Sequence, residues 1–211
     1  IFYSIEQWAS RLCDIIVTVN REDYQRAKRM RAPLVKYIHG IGINPDRLSK
    51  DPTTTKIRQE LNLTSDDFLV ISVGELNENK NHQVIIKALG KLQDPQIHYI
   101  ICGKGDQLDK LKELANELGV LDNVHFLGYR MDVLDICKQA DLFVFPSHRE
   151  GLPIAPLEAM YCGLPLITSN IRGPVDFMKE GITGYLCRPD DVNAFAKNIR
   201  NLKINPKLRI Q

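Results

Sequence analysis

Apolar residues along this chain fall into short continuous runs separated by longer amphipathic stretches. Six runs read as strands: Phe68–Val73, Ile97–Cys102, Val124–Leu127, Leu142–Phe145, Leu164–Thr168 and Tyr185–Cys187. Each is short, apolar and often β-branched, as a strand buried on both faces should be. Between them, apolar positions recur with helical spacing over His82–Leu92, Gln107–Leu118, Val133–Gln139, Ala155–Tyr161 and Val175–Met178, and a last helix is predicted over Val192–Leu202. Successive strand starts lie between 18 (124 to 142) and 29 (68 to 97) residues apart. That spacing fits repeated strand–helix–strand units, which force parallel pairing with helices on both faces. The expected fold class is therefore α/β, a Rossmann-like doubly wound parallel sheet.

The first forty residues do not join that rhythm. Ile5, Trp8, Ala9 and Leu12 predict an amphipathic helix over 2–13; Ile15–Val19 predicts a strand, Arg21–Arg31 a basic helix, and Val35–His39 another strand. Residues 41–55 carry Gly42, Asn44-Pro45, Asp51-Pro52 and a threonine run, the composition of a linker. The expected organisation is 1–40 as the tail of a preceding domain, 41–55 as linker, 56–203 as the main domain and 204–211 as a C-terminal tail. The missing initial methionine agrees with a piece of a longer protein.

Composition narrows the function classes. In 211 residues, 28 Lys+Arg stand against 26 Asp+Glu, so the formal charge is 28 − 26 = +2. Such a balance argues against a dedicated nucleic-acid partner. Hydrophobic content of 44% and charged content of 26% are those of a globular domain. No run approaches the ~18 apolar residues of a membrane span. The basic segment Arg21–Arg31 reads first as a solvated helix face, with peripheral contact to anionic lipid as the other option. Five cysteines, odd in number and without a C-x-x-C pair, read as reduced buried thiols and fit a cytoplasmic protein, with peripheral membrane contact, if any, at the inner face. Dispersed histidines give no metal-ligand spacing, so no metal is expected.

In a doubly wound sheet, ligands sit beyond the carboxyl ends of the strands. Three loops there carry chemistry. Gly74–Asn81 follows a strand and opens a helix, a place that favours anions; Lys80 could touch a phosphate, and Asn81 is a candidate N-cap. Gly103-Lys104-Gly105 lacks the third glycine of a dinucleotide fingerprint and reads as turn geometry. Pro146–Met160 sets Glu150 at the strand tip and Glu158 in the helix. A helix carboxylate can accept both hydroxyls of a ribose, the N–H groups of Gly151, Leu152 and Ile154 can face a diphosphate, and Glu150 at the lip can touch a sugar.

Those segments carry a resemblance. Ser72-Val73-Gly74 with Lys80, Ile101–Gly105, Asn123–Arg130, Asp141–Ser147, Arg149–Pro153 with Leu157–Met160, and Gly163-Leu164-Pro165 occur in the order found in family 4 glycosyltransferases, and the chain from about 35 to 203 resembles the nucleotide-sugar-binding half of their two-domain GT-B fold. The wording is closest to capsular and exopolysaccharide-type members. The resemblance implies retaining transfer from a nucleotide diphosphate sugar, a UDP-sugar or else a GDP-sugar, to a glycan or lipid-linked acceptor. It implies no cofactor, no obligatory metal and a partner in the chain's own N-terminal domain, without which the piece should bind donor but not turn over. It assigns Glu150 to the donor sugar, Glu158 to the ribose, Lys80 to the diphosphate, and Gly128, Tyr129 and Arg130 to the wall of the base pocket, with Gly74 on the first loop. The departure is Glu75, where many members carry arginine; Glu75 could pair with Lys80 in the empty site, and Arg149 or Arg130 could supply the missing cation. A silent nucleotide-binding module and a GT-B-type epimerase fit the same residues.

Overall fold

The computed structural model describes residues 2–40 and 56–209; the linker expected at 41–55 lies outside the described residues. Six parallel strands form the main sheet: β3 (Phe68–Val73), β4 (Ile97–Cys102), β5 (Val124–Gly128), β6 (Leu142–Phe145), β7 (Leu166–Ser169) and β8 (Gly184–Cys187). Their order is β5-β4-β3-β6-β7-β8. The chain starts in the middle at β3, runs outward to β5, then returns to lay β6 on the other side of β3. The sheet is doubly wound, and its switch point lies between β3 and β6.

Alternating side chains send each strand into two cores. Val70, Tyr99, Ile101, Val144 and Ile167 pack under α4 (His82–Leu92), α5 (Leu108–Glu117) and α9 (Val192–Ile204). Leu69, Ile71, Ile100, Phe143 and Leu166 face the other way, toward α3 (Ile57–Glu60), α6 (Val133–Cys137) and α7 (Ile154–Tyr161). Burial on both faces explains why the strands read as unbroken apolar runs. β7 begins at Leu166 rather than at the expected Leu164, because Pro165 has no N–H and contributes only its carbonyl, to Phe143 N–H. Beyond α9, Arg209 returns to the domain, 2.8 Å from Asp141 and over the Phe68 ring.

The N-terminal residues form a separate unit. α1 (Phe2–Ala9) continues as one 3-10 turn at Ser10–Leu12, where Ser10 Oγ bonds the Gln7 carbonyl at 2.8 Å. β1 (Ile15–Thr18) and β2 (Leu34–Tyr37) pair only with each other among the described residues. α2 (Arg21–Ala27) lies between them, capped by Asn20, and ends short of the expected Arg31 in a tighter turn, where Arg29 N–H donates to the Arg26 carbonyl and Met30 N–H to that of Ala27. The unit meets the main domain through polar contacts: Asn20 to Gly151, Arg21 to Asp176 on α8 (Pro174–Phe177), and Asp23 to Arg172.

Candidate functional site

At the switch point, the loop leaving β3 and the loop leaving β6 are bonded to one another. His148 N–H donates to the Asn79 carbonyl at 2.8 Å, and Asn79 Nδ2 donates to the Arg149 carbonyl at 3.0 Å. Lys80 Nζ then reaches Glu150 Oε1 at 2.7 Å, with the two side chains 22% and 13% exposed. The lysine stem lies along Gly74, where a Cβ would stand 3.3 Å from Lys80 Cδ, and its ammonium is 5.0 Å from the centre of the Phe145 ring. A lysine and a glutamate seventy residues apart in sequence thus form one partly buried ion pair.

Asn81 does not cap α4 as expected. It takes a left-handed conformation (φ 52°), which asparagine tolerates. Its Nδ2 donates instead to the carbonyls of Pro146 and Pro189, pinning three loops at the rim. Below it, His82, Ser72 and Tyr99 form a buried network, with His82 Nδ1 3.0 Å from Tyr99 Oη and Ser72 Oγ 2.8 Å from the same oxygen. His82 Nε2 lies 3.1 Å from the Glu75 carbonyl. Burial pushes His82 down to about 4, so the ring is neutral and donates Nε2–H to that carbonyl. This fixes the path of the loop that carries Lys80.

The glycines of the second loop are structural. A Cβ on Gly103 would fall 1.8 Å from the Gly74 carbonyl oxygen, and one on Gly105 would fall 2.3 Å from that of Leu76. The two backbones cross here, joined by Leu76 N–H to the Lys104 carbonyl and Gln107 N–H to the Leu76 carbonyl. Beside the crossing, a cavity of about 390 Å³ is lined by Gly74, Glu75, Lys104, Tyr129, Arg130 and Val133, among others. Gly128 (φ +65°) sits on its edge, where the β4–β5 register slips by one residue and turns Tyr129 outward, 69% exposed.

The structure alters two charge assignments made from sequence. Glu75 is exposed and accepts from Asn77 Nδ2 at 2.9 Å, so the anion paired with Lys80 is Glu150 and not Glu75. Arg130 is held by Asp132 at 2.6 Å and by Glu60 at 3.2 Å; Asp132, with Glu60 behind it, raises its pKa further and satisfies its charge. It is therefore no spare cation for a diphosphate, although it lines the cavity. Arg149 is exposed beside Glu150. Glu158 is half-buried in the second turn of α7, near the thiols of Cys137 and Cys162, whose pKa values rise chiefly through burial. Gly151 and Leu152 precede α7, Ile154 opens it, and neither Pro153 nor Pro156 has an N–H to offer.

Sequence reasoning missed two residues that shape this loop, Arg172 and Asn20. Arg172 Nε donates to the Glu150 carbonyl at 3.1 Å, and Asn20 Nδ2 to the Gly151 carbonyl at 3.2 Å. The Asn20-x-x-Asp23 pattern signals a helix start, but nothing in it signals a partner 131 residues away.

Comparison with known proteins decides the family. The family model described as "Glycosyl transferases group 1" matches residues 53–211. The chain belongs to the group 1 glycosyltransferases. It is 33% identical over 214 residues to EpsD of Bacillus subtilis (strain 168), named as a glycosyltransferase, covering 99% of this chain and 56% of that protein. It is 31% identical over 152 residues to the lipopolysaccharide core biosynthesis glycosyltransferase LpsE of Rhizobium meliloti (strain 1021), covering 72% and 44%. This group 1 chain thus spans about half the length of the curated relatives it matches. Its fold superposes on a crystal structure of Anabaena Alr3699/HepE in complex with UDP-glucose, with a TM-score of 0.87 at 24% identity over 98% of this chain and 59% of that one. It also superposes on WaaG, a glycosyltransferase involved in lipopolysaccharide biosynthesis, with a TM-score of 0.80 at 24% identity over 92% and 55%. The doubly wound sheet is that of the GT-B glycosyltransferases.

Proposed function

We propose that this chain is the donor-binding part of a retaining glycosyltransferase of polysaccharide biosynthesis, which moves a sugar from UDP-sugar to a glycan or lipid-linked acceptor. The observation that carries the reading is the Lys80–Glu150 contact at the switch point, where this class of sheet binds nucleotides. The UDP and UDP-glucose held by HepE favour uridine over guanosine as the base. In the proposed site, Lys80 and the N–H groups of Gly151, Leu152 and Ile154 take the diphosphate, Glu150 the sugar, and Glu158 the ribose. The cavity walled by Gly74, Tyr129 and Arg130, with Gly128 next to it in the chain, takes the base.

Transfer separates an oxocarbenium-like sugar from a diphosphate that gains negative charge. Donors fixed in advance around that charge lower the barrier most. Lys80 and the N–H groups before α7 are such donors, with the lysine rather than a metal supplying the cation. Titration of the chain with UDP and GDP tests the reading: UDP should bind more tightly, and Glu158→Ala should weaken it above all other effects. Equal heats for wild type and Glu158→Ala would remove the ribose role. In a form long enough to turn over, Lys80→Ala should lower the rate by roughly 10²–10³, and an unchanged rate would take Lys80 out of the site.

A further inference from the structure

Three successive carbonyls of the β6 loop are each gripped by a side chain from a different part of the molecule. Arg149 O accepts from Asn79 Nδ2 at 3.0 Å, Glu150 O from Arg172 Nε at 3.1 Å, and Gly151 O from Asn20 Nδ2 at 3.2 Å. Asp23 ties the last two grips together, bonding Arg172 Nη1 at 2.8 Å and Asn20 Nδ2 at 2.7 Å. Asn20 is fully buried, although it is polar and lies outside the main domain. Gly173 closes the same spot from beneath, since a Cβ there would stand 2.5 Å from the Gly151 oxygen.

No packed core backs this loop on the N-terminal side. A cavity of about 860 Å³ opens there, lined by Arg149 and Arg172 together with Ser10, Val17, Asp23 and Arg26. The course of the loop is therefore set by hydrogen bonds. Every peptide described is trans, so each carbonyl opposes the N–H of the next residue. A Glu150 carbonyl drawn to Arg172 turns Gly151 N–H the other way, and a Gly151 carbonyl drawn to Asn20 does the same for Leu152 N–H. Among the described residues, neither N–H donates to a backbone carbonyl.

We propose that Asn20 and Arg172 are positioning residues that aim the Gly151 and Leu152 N–H groups at the diphosphate of a bound nucleotide. The inference rests on the donor-site reading above and extends it: the N-terminal unit, without touching the ligand, sets the loop that does. Asn20→Ser keeps an N-cap for α2 but cannot reach Gly151, and Arg172→Lys keeps the charge beside Asp23 but loses the Nε donor.

The test is calorimetric titration of the 211-residue chain with UDP and, separately, with uridine. Each variant should lose roughly 3–10-fold in UDP affinity, the worth of one hydrogen bond, while uridine affinity stays at the wild-type value. UDP and uridine affinities falling together would assign the residues a general structural role and overturn the inference. Variants that bind UDP as tightly as wild type would overturn it as well. A wild-type chain that binds no UDP would instead sink the donor-site reading, and the inference with it.

Discussion

β7 and β1 are four-residue strands of similar composition, Leu-Ile-Thr-Ser and Ile-Ile-Val-Thr, and both pair in parallel. All four residues of β7 are buried, between β6 and β8 and under helices of both faces. In β1 only Thr18 is buried; Ile15 is 42% exposed and Val17 50%. Local sequence thus specifies a strand in both places, and only its neighbours decide whether burial stabilises it. The difference extends to how the two parts are held: the main domain by two apolar cores, the N-terminal unit by a polar joint at Asn20, Arg21 and Asp23.

The largest effect that sharpens this comparison is expected at Ile71, which is fully buried at the centre of β3. Ile71→Ala should cost about 2–5 kcal/mol in chemical denaturation. Gly103→Ala comes next. Its Cβ would meet the Gly74 carbonyl rather than a flexible side chain, and about 1–3 kcal/mol should be lost.

A pH effect follows from His82. Its folded pKa, near 4, lies below the ordinary 6.5, so between those values the unfolded chain binds a proton that the folded chain refuses. Its contribution is complete above pH 6.5 and is lost as the pH falls toward 4, with a slope of about 1.4 kcal/mol per unit. His125, also pushed down to about 4 by burial, adds to the slope. Denaturation midpoints across pH 4–7 should show this rise, and His82→Gln should flatten it. The smallest effect belongs to Ile15→Ala, expected below about 1 kcal/mol for a half-exposed side chain. A loss as large as that at Ile71 would break the comparison and show that the outer face of β1 is covered.

The six main strands were legible in the sequence because burial on both faces leaves an unbroken apolar run, as in Phe68–Val73. Lys80 and Glu150 were legible because the order of elements places their loops at the same edge. Asn81 misled because a capping side chain and a left-handed asparagine leave the same mark in sequence; only the rim carbonyls it meets distinguish them. Arg130 stands in the sequence as one candidate cation beside Arg149; Asp132, two residues on, is visible there, but only the fold brings Glu60 from seventy residues away onto the same guanidinium. Arg172 and Asn20 stayed invisible because both act on backbone carbonyls, groups that every residue carries.

Lys80 already has an anion in its grasp, and this bears on the order of events under the proposed function. An arriving diphosphate must compete with the Glu150 carboxylate for the ammonium. Under that reading, the displaced carboxylate would be freed beside the sugar once phosphate takes its place. Ligand entry and release of the carboxylate would then be a single exchange.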